Sequence, residues 1–181
     1  MAIQIGQKKE SDFTDPLGLL GDCHRRIEHF LGVLVRLSTK ARGGSLDSAE
    51  KELLERALAY FRNAAPKHTA DEEDSLFPRL RASAASDAPL ARLDELEHEH
   101  ELAARDHEIV ESSGRCWLAE GILAPEQGAR MVQALERLAG IYSRHIAVED
   151  TELFPLASRL LQPEELAEVG REMADRRGIK R

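Results

Sequence analysis

The stretch Pro66–Pro78, P-K-H-T-A-D-E-E-D-S-L-F-P, returns late in the chain as Ser143–Pro155, S-R-H-I-A-V-E-D-T-E-L-F-P. In each copy a histidine is followed four residues later by a glutamate, then by a second acid, then by Leu-Phe-Pro at a fixed distance. His68 and Glu72 of the first copy become His145 and Glu149 of the second, 77 residues on. On a helix, residues four apart stack on one face. Each copy therefore offers an imidazole and a carboxylate as neighbouring ligands pointing the same way. One such pair is what any surface His–Glu contact provides, but the repetition with its Leu-Phe-Pro context intact points to a shared role.

Working outward, the segments ahead of the two copies also match. Asp15-Pro16 is a helix start, with Asp15 as N-cap and Pro16 at the first helical position. From there Leu17, Leu20, His24, Ile27, Leu31 and Leu34 trace an apolar stripe at helical spacing. The later stripe Leu93, Leu96, His100, Ala103, His107, Val110, Gly114 and Trp117 repeats its opening, since Leu17-x-x-Leu20-x-x-x-His24 and Leu93-x-x-Leu96-x-x-x-His100 share one spacing. The interval from His24 to His68 is 44 residues, and from His100 to His145 it is 45. The chain reads as a helical hairpin written twice.

The remaining signals place the breaks. The cluster 41–45 ends the first helix, and a second begins near 45–48, carrying Leu54, Leu58, Phe61 and Ala65 inward. Pro66 falls inside that pattern and predicts a kink or a split. The helix is expected to fray after 78–81, and 82–89 reads as a loop. The fourth helix follows Pro125 with Met131, Leu135, Leu138, Tyr142, His145 and Glu149, and a short fifth starts at Pro163 with Leu166, Val169 and Met173 inward. The expected organisation is an N-terminal arm over 1–13, a bundle over 14–162, and a short C-terminal helix with a loose basic tail over 163–181.

Composition agrees with an all-α fold. Of the 181 residues 42% are apolar and 32% charged, while aromatics reach only 4%, which suits helices over sheets. A net charge of −8 gives no attraction to nucleic acid or to an anionic membrane. Cys23 and Cys116 form neither a disulfide framework nor a zinc-finger spacing. No signal peptide and no apolar run of about 20 residues is evident, so a cytoplasmic address is expected.

An up-down four-helix bundle with a short C-terminal helix brings four stripe histidines and two glutamates to one core. Burying six such groups without compensation would consume a domain stability of roughly 5–15 kcal/mol, so a pair of metal ions is the expected companion. The donor set has too many ligands and no Cys for structural zinc. Imidazole with bridging carboxylate suits iron or manganese. Ferritin-like sites use Glu-x-x-His pairs with two further Glu, which this chain lacks.

The arrangement His24, His68-x-x-x-Glu72, His100, His145-x-x-x-Glu149, with both Leu-Phe-Pro tails, resembles the hemerythrin-like family, or HHE cation-binding domain, over roughly 14–160. The resemblance implies two non-haem iron ions with carboxylate bridges from Glu72 and Glu149 and terminal His24, His68, His100 and His145. It also implies an open iron position for oxygen, nitric oxide or peroxide. Oxygen-carrying members take a fifth histidine one turn after the position of His100, where this chain has Ala104. Glu28, one turn after His24 and the repeat counterpart of Ala104, is a candidate ligand on the other half; His107, two turns from His100, reads rather as a residue behind the ligands or at the end of the bundle than as a ligand. Tyr142, one turn before His145, either hydrogen-bonds to a bound ligand or is core, and core is the preferred reading. Glu73 and Asp150 either face solvent or hold a ligand histidine in its tautomer, while His98 with Glu97, Glu99 and Glu101 reads as a solvated charge run, and His29 as exposed.

No catalytic constellation beyond these ligands is visible. Capture or sensing of a small ligand, or iron handling, is the leading expectation. The alternative is a di-iron enzyme, activating peroxide or oxygen or donating iron in nitrosative-stress repair. Relatives with a repair role carry an N-terminal Cys-bearing segment, and the short arm here has no Cys.

Overall fold

The structure is a computed structural model that describes residues 10–83 and 88–179. Most of the expected arm therefore lies outside the described residues. Helix α1 (Pro16–Ala41) starts where the Asp15 carboxylate accepts from the Gly18 amide at 3.1 Å. It runs through Ala41 and stops as Arg42 turns left-handed (φ 47°), and the carbonyl of the next residue, Gly43, accepts from the Leu123 amide at 2.7 Å, in the turn ahead of Pro125. Helix α2 (Ser48–Asn63) opens with a reciprocal capping box between Asp47 and Glu50. Pro66 splits it from α3 (Ala65–Asp71), as its missing donor requires.

Helix α4 (Phe77–Ala82) continues beyond the first repeat, α5 (Leu93–Glu120) and α6 (Pro125–Val148) form the second hairpin, and α7 (Phe154–Leu160) and α8 (Pro163–Arg176) finish the chain. α5 packs on α6 and α2, and α1 on α2 and α6, which is the closed up-down bundle. α2 and α5 approach closely at Gly114, where a Cβ would lie 2.7 Å from Leu58 Cδ1.

The core is in two parts. One is built from Ile27, Leu31, Leu34, Leu54, Leu58, Trp117, Leu135 and Leu138. The other holds Leu20, Leu76, Phe77, Leu96, Leu153, Phe154, Val169 and Met173. His24 lies between Leu20 and Ile27, and His100 between Leu96 and Ala103, so the histidine layer divides the two hydrocarbon regions. Apolar packing above and below fixes the helices that carry it.

The basic C-terminus differs from the expected loose tail. α8 packs on α1 and α3. Arg176 and Arg177 reach the fully buried Asp71, with Arg177 Nη2 2.7 Å and Arg176 Nη1 3.0 Å from its carboxylate. A carboxylate in the interior needs cationic donors, and the tail arginines are the ones near enough. Residues 180–181 lie outside the described residues.

Candidate metal centre

Each Leu-Phe-Pro tail has a local fold of its own. Glu72–Leu76 and Glu149–Leu153 form single π-helical turns, in which the Phe77 amide donates to the Glu72 carbonyl and the Phe154 amide to the Glu149 carbonyl. The cause is the proline that follows. In a continuous α-helix Pro78 and Pro155 would press against the carbonyls of Asp74 and Thr151, four residues back, and the wider turn relieves this. Such turns insert an extra residue and re-aim side chains. Both sequence-predicted bridging glutamates are the first residue of one.

The four stripe histidines and the two glutamates meet at the centre of the bundle. Glu72 and Glu149 are fully buried, and His24, His68 and His145 nearly so. Glu72 Oε1 lies 3.2 Å from His68 Nε2 and 3.8 Å from His24 Nε2, while its Oε2 lies 3.4 Å from His100 Nε2. Glu149 Oε2 lies 3.1 Å from His24 Nε2 and 3.2 Å from His145 Nε2. Two groups of donors result. One comprises His24, His68, Glu72 and Glu149, the other His100, His145 and Glu72, so Glu72 belongs to both.

Carboxylates behind the rings settle what the inner nitrogens offer. His24 Nδ1 is 2.8 Å from Asp150, His100 Nδ1 2.8 Å from Glu73, and His145 Nδ1 3.0 Å from Glu99. An ionised carboxylate only accepts, so in each pair Nδ1 carries the proton and donates. Each Nε2 then faces Glu72 or Glu149, as a lone pair when the ring is neutral and as an N–H donor when it is protonated. Lone pair facing carboxylate is repulsive unless a cation lies between. His24 Nε2, His145 Nε2 and all four oxygens of Glu72 and Glu149 are buried without a hydrogen-bond partner. These residues fit metal ions.

Protons respond to the same field. Burial opposes a charge on His24, yet the neighbouring carboxylates of Asp150, Glu149 and Glu72 raise its pKa well above the ordinary value. Burial is likewise overcome at His100, whose contacts with Glu72 and Glu73 lift it to about 9, and at His145, raised by Glu149. Burial pushes both carboxyls up, and the imidazoles around them outweigh it, led by His68 at Glu72 and by His145 at Glu149, where the charge of Glu72 also opposes ionisation. His68 alone of the four moves down, to about 4, because burial dominates there.

Three sequence expectations need revision. Glu28 is exposed and lies outside both donor groups. The buried stripe of α1 is centred on Leu20, Ile27 and Leu34, with His24 at its edge, and a further turn at about 100° per residue carries Glu28 past that edge toward solvent. Glu99, expected in a solvated run with His98, is half-buried and holds His145. No periodic signal marks it, because its repeat counterpart is Cys23. Tyr142 is more than core filling, since its hydroxyl pairs with His107 Nε2 at 2.8 Å. His98 and His29 are exposed as expected, and Glu73 and Asp150 take the tautomer-holding role.

A cleft of about 540 Å³ opens beside His100, lined by Phe61, Ala65, Ala103, Ala104, His107 and Tyr142. Ala104, at the position of the missing fifth histidine, leaves its wall low. The His107 and Tyr142 side chains in its wall are neutral near pH 7. Burial lowers His107 to about 4 and raises the Tyr142 hydroxyl above the usual phenol range.

Comparison with known proteins agrees with this geometry. Residues 15–157 match the profile of the hemerythrin HHE cation binding domain. An uncharacterized protein of Haemophilus influenzae is 29% identical over 168 residues, 93% of each chain. Proteins named "Iron-sulfur cluster repair protein YtfE" from Pectobacterium carotovorum and Pectobacterium atrosepticum are 30% identical over 143 residues, covering 75% of this chain and 61% of theirs. With two matching donor pairs on paired π turns and a family match over most of its length, the chain belongs to the hemerythrin HHE cation-binding domain family.

Proposed function

We propose that this chain is a non-haem iron protein whose centre takes two carboxylate-bridged ions and captures or senses oxygen, nitric oxide or peroxide, or handles the iron itself. The observation that carries the reading is the meeting of four imidazoles with Glu72 and Glu149, whose oxygens all lack hydrogen-bond donors. His24 and His68 would hold one ion, His100 and His145 the other, with the two glutamates between them. Iron supplies reversible electron transfer and an open coordination position.

The chain's own residues do the rest. Asp150, Glu73 and Glu99 fix three ring orientations and hold the neutral tautomer whose free lone pair is on the inner nitrogen. The two hydrocarbon layers exclude water from either side. The cleft beside His100 gives a small neutral ligand an apolar path inward, and the Tyr142–His107 pair offers the hydrogen-bonding groups in its wall. Cys23 and Cys116 are free thiols, in accord with a reducing cytoplasm. No helix among the described residues is long and apolar enough to cross a membrane, and the negative net charge of −8 disfavours nucleic acid.

A second reading, an enzyme that donates iron in cluster repair, has the support of the Pectobacterium relatives named for that role. Metal analysis with the visible spectrum of air-exposed, iron-loaded protein separates the two. A stable spectrum without turnover supports capture or sensing. Rapid peroxide consumption that is lost in Glu149→Ala, or iron delivery to a cluster apoprotein, supports the enzyme. Absence of bound metal overturns both.

A further inference from the structure

The two halves of the centre are related by the sequence repeat, and the outer hydrogen bonds follow that relation with one exception. Glu73, from the first repeat, holds His100 of the second hairpin; Asp150, from the second, holds His24 of the first. The two halves exchange carboxylates. Glu99, immediately before His100, holds His145. The repeat counterpart of that contact would join the residue immediately before His24 to His68. That residue is Cys23, which is buried and accepts from Arg26 at 3.3 Å. His68 Nδ1 is buried and has no partner among the described residues.

We infer that the metal position of His24 and His68 is the exchangeable one of the two, and that Cys23, standing where the other half of the repeat has Glu99, makes it so. The inference rests on the proposed two-ion centre and adds which ion leaves. Both positions draw two imidazoles, and each glutamate lies within 4 Å of a ring from both, Glu72 of His68 and His100 and Glu149 of His24 and His145, so ligand type does not separate them. The outer contacts do. The position of His100 and His145 has a carboxylate behind each ring, and that of His24 and His68 has one behind His24 only. A carboxylate behind a ligating imidazole fixes its tautomer and orientation and makes the inner nitrogen more basic, and its loss weakens metal retention by about 10–100-fold. Cys23 acts through His68 and is a positioning residue.

The experiment is metal release. The full-length protein is loaded with iron(II) without oxygen, and transfer to an excess of a coloured chelator is followed by stopped flow, with total metal measured beforehand. Two phases of equal amplitude are expected, the faster by about 10–100-fold. Cys23→Glu should slow the fast phase alone, and Glu99→Cys should speed the slow phase toward the fast one. Glu99 is half-buried and outside the hydrocarbon core, whereas Cys23 is buried, so that arm stands even where Cys23→Glu fails to fold. Release of two ions in one phase, or a Glu99→Cys protein whose slow phase is unchanged, overturns the inference while leaving the two-ion centre intact. Loading of fewer than two ions overturns the centre itself.

Discussion

Glu72 and Glu149 stand at the same point of two identical local folds, each accepting at its carbonyl the amide of the phenylalanine five residues on, Phe77 or Phe154. The geometry is held by the proline after each phenylalanine. Pro78→Ala and Pro155→Ala restore a donor and remove the ring clash, so the turn is free to revert to α geometry and swing its glutamate away. Helix propensity favours alanine over proline by up to about 3 kcal/mol, so stability is expected to hold or rise while metal content falls. Calorimetric unfolding paired with metal analysis checks this opposition.

The clamp on Asp71 ties α8 to the residue before Glu72. Asp71 is fully buried and bonded to Arg176 and Arg177, and burial pushes its carboxyl up against the arginines that draw it down. Removing one partner of a buried ion pair costs about 3–5 kcal/mol. Asp71→Ala leaves two partly exposed arginines that water can solvate, so a loss near 2–3 kcal/mol is expected. Urea unfolding measures it, and a change below about 0.5 kcal/mol would show the clamp to be idle.

A buried neutral histidine gives a pH signature. His107 has a folded-state pKa of about 4 against an ordinary 6.5, burial being the cause. The unfolded chain binds the extra proton first, so this contribution is whole above pH 6.5 and declines as pH falls toward 4. The loss reaches about 3 kcal/mol at most. His107→Leu should flatten that part of the stability curve relative to the parent protein in the same metal state. Chemical denaturation at pH 7 and at pH 5 gives the comparison.

Ala104 faces the cleft that leads to His100 and is itself exposed. Ala104→Trp fills the opening without entering the core. Binding of nitric oxide or azide to the iron-loaded protein should slow by at least about tenfold, on the scale of a 1.4 kcal/mol added barrier, with metal content and thermal stability unchanged. Stopped-flow absorbance records the rate; equal rates would place the entry elsewhere.

Much of this arrangement was legible in the residues because it is periodic. The spacing of Leu17, Leu20 and His24, repeated at Leu93, Leu96 and His100, places the histidines on buried stripes, and the repeated His-x-x-x-Glu places the carboxylates beside them. Other features are not periodic. Glu99 follows no repeat, since the matching position is Cys23, and its charged neighbours disguise it as a solvated residue. Glu28 does follow the repeat, yet it lies just past the edge of the stripe, where a few tens of degrees decide between core and water. The arginines at 176 and 177 find their partner 105 and 106 residues away, a separation that no local pattern encodes. The π turns were visible only as prolines in an awkward place.

The central claim is that four imidazoles and two glutamates take up two ions. Anomalous diffraction at the iron edge, from crystals of iron-loaded protein, tests it most directly. Two peaks about 3.5–4 Å apart are expected between Glu72 and Glu149, one reached by His24 and His68 and the other by His100 and His145. A single peak, peaks confined to the acidic surface, or ring nitrogens turned away from the metal would contradict it.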